Sequence, residues 1–111
     1  MYKWVQLEIE AANKVGREPS PGPKLEKWVS DAGFVNIRHH VFKLPLGPWP
    51  KDPVLKEIGL LNIANCISGL EAFSMRLMCD ALGWTDEDVH ELLAKVRKEW
   101  MAQRIHGYNN L

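Results

Sequence analysis

The chain has 111 residues, which is the size of one small domain. It is 46% hydrophobic and 25% charged, so its composition is that of a globular protein and excludes an intrinsically disordered chain. With 14 basic and 14 acidic side chains the net charge is zero, which argues against a dedicated nucleic-acid binder and removes a barrier to self-association.

The two cysteines, Cys66 and Cys79, fall within one predicted helix. At 1.5 Å of rise per residue they lie roughly 20 Å apart, too far for a disulfide, so we expect two small, buried thiols. The first fifteen residues include Lys3, Glu8 and Glu10 and show no secretory signal. The run Ile58–Leu70 is interrupted by polar residues and is too short for a membrane span. We therefore expect a soluble protein of the cytoplasm or nucleus with no membrane partner.

Residues 1–33 predict two helices, the first ending at Gly16 and the second at Gly33. Residues 34–44 alternate apolar and polar side chains, which predicts a strand. Residues 45–52 form a proline-rich loop that contains Trp49. Asp52 and Pro53 predict the start of a long helical region over residues 53–103, in which Thr85 begins a further helix. Residues 104–111 read as a tail, irregular or briefly extended. The predicted fold class is mainly α with one or two strands.

A single strand leaves a row of backbone groups without partners. Three or more strands, or a partner, are normally needed for stability, and the only other extended candidate is the short tail. The sequence therefore predicts either that two copies pair their strands or that another polypeptide supplies the sheet.

A family resemblance is carried by the segment LEKWVSDAGFVNIRHHVFKLPLGPWPKDPVLKEIGLLN over Leu25–Asn62. It continues more loosely through GLEAFSMRLMCDALGW and LLAKVRKEWMAQRIHGY. These segments resemble the C-terminal part of the LaeA-like group of fungal S-adenosylmethionine-dependent methyltransferases. The resemblance implies a fragment of the class I α/β, Rossmann-like fold, in which the proline-rich passage leads from the sheet to a helical lid over a small organic acceptor.

The chain departs from that family at the cofactor. It contains no G-x-G, and its glycines do not join an apolar strand to a helix start, the context that a nucleotide-type loop requires. The resemblance therefore implies that the cofactor-binding N-terminal half is missing, and we expect this chain to bind no S-adenosylmethionine by itself.

Four histidines raise the question of a metal or an acid–base site. His39 and His40 are adjacent in the predicted strand, so they face opposite sides and cannot easily share an ion. We predict no metal site. Both remain weak candidates for a general base, although a partly buried structural histidine is the simpler interpretation of His39.

Aromatic and methionine side chains are the candidate substrate contacts: Trp49, Phe42, Met75 and Met78. For Trp49, between two prolines, the alternative is an anchor that packs the loop on the core. Methionines in such a cluster are more often core residues than ligand contacts, but their adaptable side chains would suit a variable pocket.

Three functions remain open from the sequence. The first is a truncated methyltransferase-like protein of secondary metabolism that forms a substrate lid without catalysis of its own. The second is an accessory or regulatory subunit that docks on an intact methyltransferase or on a second copy. The third is a repurposed small-molecule-binding, cyclase-like enzyme.

Overall fold

A computed structural model describes residues 2–102 and 104–111. Over these residues, four α-helices and two short strands give a mainly α arrangement, which agrees with the predicted class at this level. In chain order the elements are α1 Tyr2–Lys14, a 3₁₀ turn Gly22–Lys24, α2 Leu25–Asp31, β1 Lys43–Pro45, α3 Pro53–Arg76, a π-helical turn Leu77–Ala81, α4 Asp86–Ala102 and β2 Tyr108–Asn110.

The ends of the two long helices follow local chemistry. The Asp52 carboxylate accepts a hydrogen bond from the backbone N–H of Leu55 at 3.0 Å, and Pro53 occupies the first turn of α3. The Thr85 hydroxyl accepts from the N–H of Asp88 at 3.2 Å at the start of α4. Gly83, with φ of 72°, turns the chain between them. These starts match the sequence prediction.

The hydrophobic core lies between α1, α3 and α4. Trp4 of α1 meets Trp100 of α4 edge to face, with ring centroids 5.6 Å apart. The indole N–H of Trp4 donates to the buried Ser74 hydroxyl of α3 at 2.8 Å. The buried apolar members of the core cluster are Leu46, Ile63, Leu70, Met78, Val89, Leu92, Leu93, Val96 and Trp100.

The strand expected over residues 34–44 is much shorter than predicted, because ladder pairing begins only at Lys43. Asn36 has a positive φ of 57°, which interrupts the extended path. Alternating apolar and polar residues are typical of a strand, but a strand also requires a neighbouring strand with which its backbone can pair. Among the described residues, 35–41 show no backbone–backbone hydrogen bond.

The tail supplies the second strand. β2 runs antiparallel to β1 with Lys43 opposite Asn110 and Pro45 opposite Tyr108. Phe42 and Leu111 exchange both backbone hydrogen bonds, at 3.0 and 2.7 Å, and extend the ladder by one pair. The strand that was predicted to need a second copy or another polypeptide is therefore paired within this chain, in a sheet of two strands among the described residues.

Helix α3 and the turn that follows, Pro53–Ala81, are long and apolar enough to cross a membrane by length and composition alone. A core helix of a water-soluble protein passes the same criterion. Only 22% of its most apolar window is buried within the chain, so much of its apolar surface faces outward.

Candidate functional site

The proline-rich loop is held against α3 by backbone contact. The N–H of Gly47 donates to the carbonyl of Gly59 at 3.0 Å, and the side-chain amide of Asn62 donates to the carbonyl of Pro45 at 2.8 Å. A Cβ on Gly59 would lie 2.0 Å from the Gly47 carbonyl oxygen, so only glycine permits this approach. The loop is therefore fixed on the helix.

Trp49 links this loop to the C-terminal tail. Its ring stacks on His106 with centroids 4.9 Å apart and planes within 3° of parallel. Its indole N–H donates to the Gly107 carbonyl at 2.9 Å. These contacts are those of an anchor. The ring also borders a small apolar pocket of about 190 Å³, lined by Lys43, Pro45, Trp49, Pro50, Leu55 and Tyr108.

A larger apolar groove lies beside the same loop. Its volume is about 590 Å³, and Ser68 supplies the one hydroxyl among side chains that are otherwise apolar. We call it the Pro48 groove; its lining residues are Pro48, Leu60, Ile63, Ala64, Ile67, Ser68 and Met101. The groove is open to solvent, and it can accept an apolar or aromatic molecule with one hydrogen-bonding group.

The predicted histidines lie away from both cavities. His40 stacks on the exposed Phe42 ring with centroids 6.4 Å apart, and the His39 ring nitrogen lies 3.4 Å from a Glu26 carboxylate oxygen of α2. Neither histidine, nor Phe42, lines the small pocket or the Pro48 groove. The structure therefore does not bring His39, His40 and Phe42 together with Trp49 around one cavity.

The two methionines belong to the helical core. Met78 is completely buried, and Met75 is partly buried and packs against the same cluster. Neither lines the small pocket or the Pro48 groove. Substrate contact by Met75 and Met78 stays a prediction, and in this arrangement Met78 has no exposed surface.

The shifted titratable groups do not form an acid–base or nucleophilic centre. Burial raises the pKa of the Cys66 thiol. Partial burial, together with the Asp86 and Asp80 carboxylates, raises that of Cys79. A raised pKa keeps a thiol protonated and unreactive. Within residues 2–102 and 104–111, no group of three or more histidine, cysteine or acidic side chains could hold a metal ion.

The glycine that follows a strand does not fit a nucleotide-type cofactor loop. Gly47 has a φ of 113°, but its N–H is bonded to Gly59 and it is buried beneath α3. Pro48 and Pro50, which follow, have no N–H to offer. This passage therefore cannot present the free backbone N–H groups that such a loop uses.

Sequence reasoning missed the residues of the Pro48 groove other than the loop itself. Leu60 and Met101 are both largely exposed despite their apolar side chains. The sequence does contain a signal for such an apolar surface. Helix α3 is apolar around most of its circumference, whereas a surface helix of a soluble protein has one polar face.

Comparison with known proteins identifies fungal relatives of this chain. It is 50% identical over 99 residues, 89% of its length, to "Methyltransferase pytC" of Aspergillus terreus, and 38% identical over 108 residues, 97% of its length, to "Probable methyltransferase tdiE" of Emericella nidulans. It is 32% identical over its whole length to "Secondary metabolism regulator laeA" of Monascus pilosus. The chain spans about a third of the length of these curated relatives, 31%, 34% and 30% respectively. No protein-family profile and no solved structure matches the chain.

Proposed function

Because the chain belongs to the LaeA-like group of fungal methyltransferases and secondary-metabolism regulators, we propose that it is the substrate-covering helical part of such a methyltransferase and transfers no methyl group on its own. In this proposal the complete fold is of the class I, Rossmann-like type, and the described residues correspond to its lid and last two strands. The methyl donor, S-adenosylmethionine, is bound elsewhere in that fold.

The observation that carries the proposal is the Pro48 groove. Its volume of about 590 Å³ lies within the range of roughly 300–1,000 Å³ that is typical of small-molecule sites. Gly47 and Asn62 fasten the loop that forms one wall to α3, which keeps the groove in shape. Its lining offers apolar contact and the Ser68 hydroxyl, so it supports binding of an acceptor rather than chemistry.

The absence of a suitable acid or base in this groove supports a binding role. The histidines that are candidates for proton transfer, His39 and His40, lie outside it. No observation on the described residues favours the cyclase-like alternative.

Methyl-donor binding tests the first part of the proposal. We expect native mass spectrometry of the purified chain with S-adenosylmethionine to show no stoichiometric adduct. Incubation with small aromatic acceptors should give no methylated product. A saturable one-to-one adduct, or methyl transfer by the chain alone, would overturn it.

Groove binding is tested separately, with indole as a simple aromatic probe. Met101 lines the groove and Met78 is buried in the core, so their ε-methyl NMR signals provide a site and an internal control. We expect saturable shifts at Met101 and no shift at Met78. An unchanged Met101 signal at millimolar indole would contradict an acceptor role for the groove.

A further inference from the structure

A cleft with two arginines lies between the end of α1 and the end of α3. Its volume is about 550 Å³, within the range of roughly 300–1,000 Å³ that is typical of small-molecule sites. It shares no lining residue with the Pro48 groove. We call it the Arg17 cleft; its charged members are Arg17, Arg76 and Asp80, and its apolar wall includes Val15, Phe73 and Leu77.

The backbone of Arg17 is fixed by the turn that ends α1. The N–H of Gly16 donates to the Asn13 carbonyl at 3.1 Å, and the N–H of Arg17 donates to the Ala12 carbonyl at 2.9 Å. These two bonds form the Schellman motif of a helix end. Helix α1 packs on the π-helical turn that follows α3, so the two sides of the cleft have a defined separation.

The Arg17 guanidinium is available to a ligand. It has no hydrogen-bond or ion-pair partner among residues 2–102 and 104–111. The adjacent acid, Glu18, is engaged elsewhere, because its carboxylate accepts from the Lys24 ammonium and from the backbone N–H of Ser20.

The second guanidinium of the cleft is only loosely paired. Nε of Arg76 lies 3.7 Å from an Asp80 carboxylate oxygen, longer than a hydrogen bond, and the two side chains are 90% and 73% exposed. An ion pair this exposed contributes little to stability, so Arg76 can turn toward a ligand. Two guanidinium groups and one carboxylate leave the cleft with one net positive charge.

The apolar wall adds an accessible aromatic surface beside these charges. Phe73 is 66% exposed and Val15 is 49% exposed, and the half-buried Leu77 lies in the same lining. An exposed ring offers a face or an edge to a second flat ring. The cleft therefore combines the contacts that an amphipathic anion needs.

We propose that the Arg17 cleft binds a small aromatic monocarboxylate. The carboxylate pairs with Arg17 and Arg76, since guanidinium groups match the geometry of a carboxylate, and the ring covers Phe73. The Asp80 carboxylate repels a second negative charge, so a dicarboxylate or a phosphate ester fits less well. This site is additional to the acceptor groove and does not depend on the proposed function.

The test is titration of the complete chain with 2-naphthoate, followed by calorimetry and by amide NMR. The neutral 2-naphthamide, which has the same ring system, is the matched control ligand. We expect saturable one-to-one binding with shifts at residues 15–17 and 72–81, affinity that falls as salt is raised, and about tenfold weaker binding of the amide. No saturation at millimolar 2-naphthoate, or equal affinity for the amide, would overturn the proposal.

Charge variants test the assignment of the carboxylate partners. Arg17→Gln and Arg76→Gln should each weaken 2-naphthoate binding about tenfold, whereas Asp80→Asn should strengthen it several-fold. Arg38→Gln makes the same charge change at an exposed arginine outside the cleft and should leave the affinity unchanged. Equal losses in Arg38→Gln and Arg17→Gln would mean that only the overall charge matters, which contradicts a site.

Two further readouts separate this cleft from other binding modes. Saturable shifts at the Met101 ε-methyl without shifts at residues 15–17 would place 2-naphthoate in the Pro48 groove and overturn the proposal. Displacement of 2-naphthoate by an equal concentration of inorganic phosphate would show a bare anion site and contradict the aromatic class. Because indole carries no charge, its binding to the groove and the binding of 2-naphthoate to the cleft succeed or fail independently.

Discussion

At the residue scale, Gly59 is the most constrained position in the loop–helix junction. Gly59→Ala would place a Cβ 2.0 Å from the backbone oxygen of Gly47, and backbone cannot yield as a flexible side chain does. We expect a loss of about 3 kcal/mol or more of unfolding free energy, at or above the usual range for overpacking. Urea denaturation followed by circular dichroism measures it.

Gly69, ten residues later in the same helix, is the matched control. The nearest atom to its added Cβ is the edge of the Phe73 ring at 3.1 Å, and this ring is largely exposed and can move. Gly69→Ala should therefore be neutral or stabilise by about 0.5–1 kcal/mol through helix propensity. Similar losses in both variants would mean that the Gly47–Gly59 contact is not formed.

Glu8 makes the stability of the α1 docking dependent on pH. One of its carboxylate oxygens is buried without a hydrogen-bond partner among the described residues. Burial raises the pKa of Glu8 above its ordinary value of 4.5, although hydrogen bonds with Ser74 and Trp4 oppose the shift. Because the folded state prefers the protonated form, this group stabilises the fold at acid pH, and the contribution is lost as pH rises through the raised pKa.

Glutamine does not ionise, so we expect Glu8→Gln to remove the loss of folding stability that Glu8 causes at higher pH. The variant should be more stable than the wild type at pH 7 and should differ less from it at pH 4. Glu10→Gln changes an exposed carboxyl on the same helix and is the control. Thermal melts across pH 4–8 provide the measurement. A stability difference between Glu8→Gln and wild type that is independent of pH would contradict the assignment.

At the element scale, Trp49 joins the loop to β2, and its removal should release the tail. Trp49→Ala loses both the His106 stack and the hydrogen bond to the Gly107 carbonyl, while Trp49→Phe keeps an aromatic ring and loses only the hydrogen bond. We expect faster amide exchange over residues 107–111 in the order Ala, Phe, wild type, with α4 unchanged. Equal exchange in all three proteins would show that the tail is held independently of Trp49.

The sequence predicted the helices better than the strand because their signals are local. Asp52, Thr85 and Gly83 act within a few residues of their own position, and each lies at its predicted boundary. A strand depends on a neighbour, and alternation over 34–44 contains no information about whether that neighbour is present. The bonds that pair Phe42 with Leu111 join residues 69 positions apart, a distance that periodicity does not reach.

The candidate site was predicted unevenly for a related reason. Trp49 was predicted to contact a substrate, which stays a prediction, and its contacts are those of the anchor that was the alternative interpretation. Met78 could not be assigned between core and pocket, since both favour the same side chain and only the packing of α1 and α4 decides. The Pro48 groove required knowledge of how Met101 of α4 approaches α3.

At the scale of the whole molecule, the helical core and residues 17–42 should differ in stability. The core joins α1, α3 and α4, whereas residues 17–42 contain no buried side chain. Local opening costs little where few apolar contacts must be broken. Limited trypsin digestion of the isolated chain should therefore cut first after Arg17, Lys24, Lys27 or Arg38.

The internal controls for this digestion are Lys56 and Arg97, which lie on helices that pack on the core. Their cleavage should follow much later, because proteolysis needs an unfolded stretch and α3 and α4 open only with the core. First cuts within α3 or α4 would place the weak region in the helical core instead, and would show that residues 17–42 are a stable part of the chain.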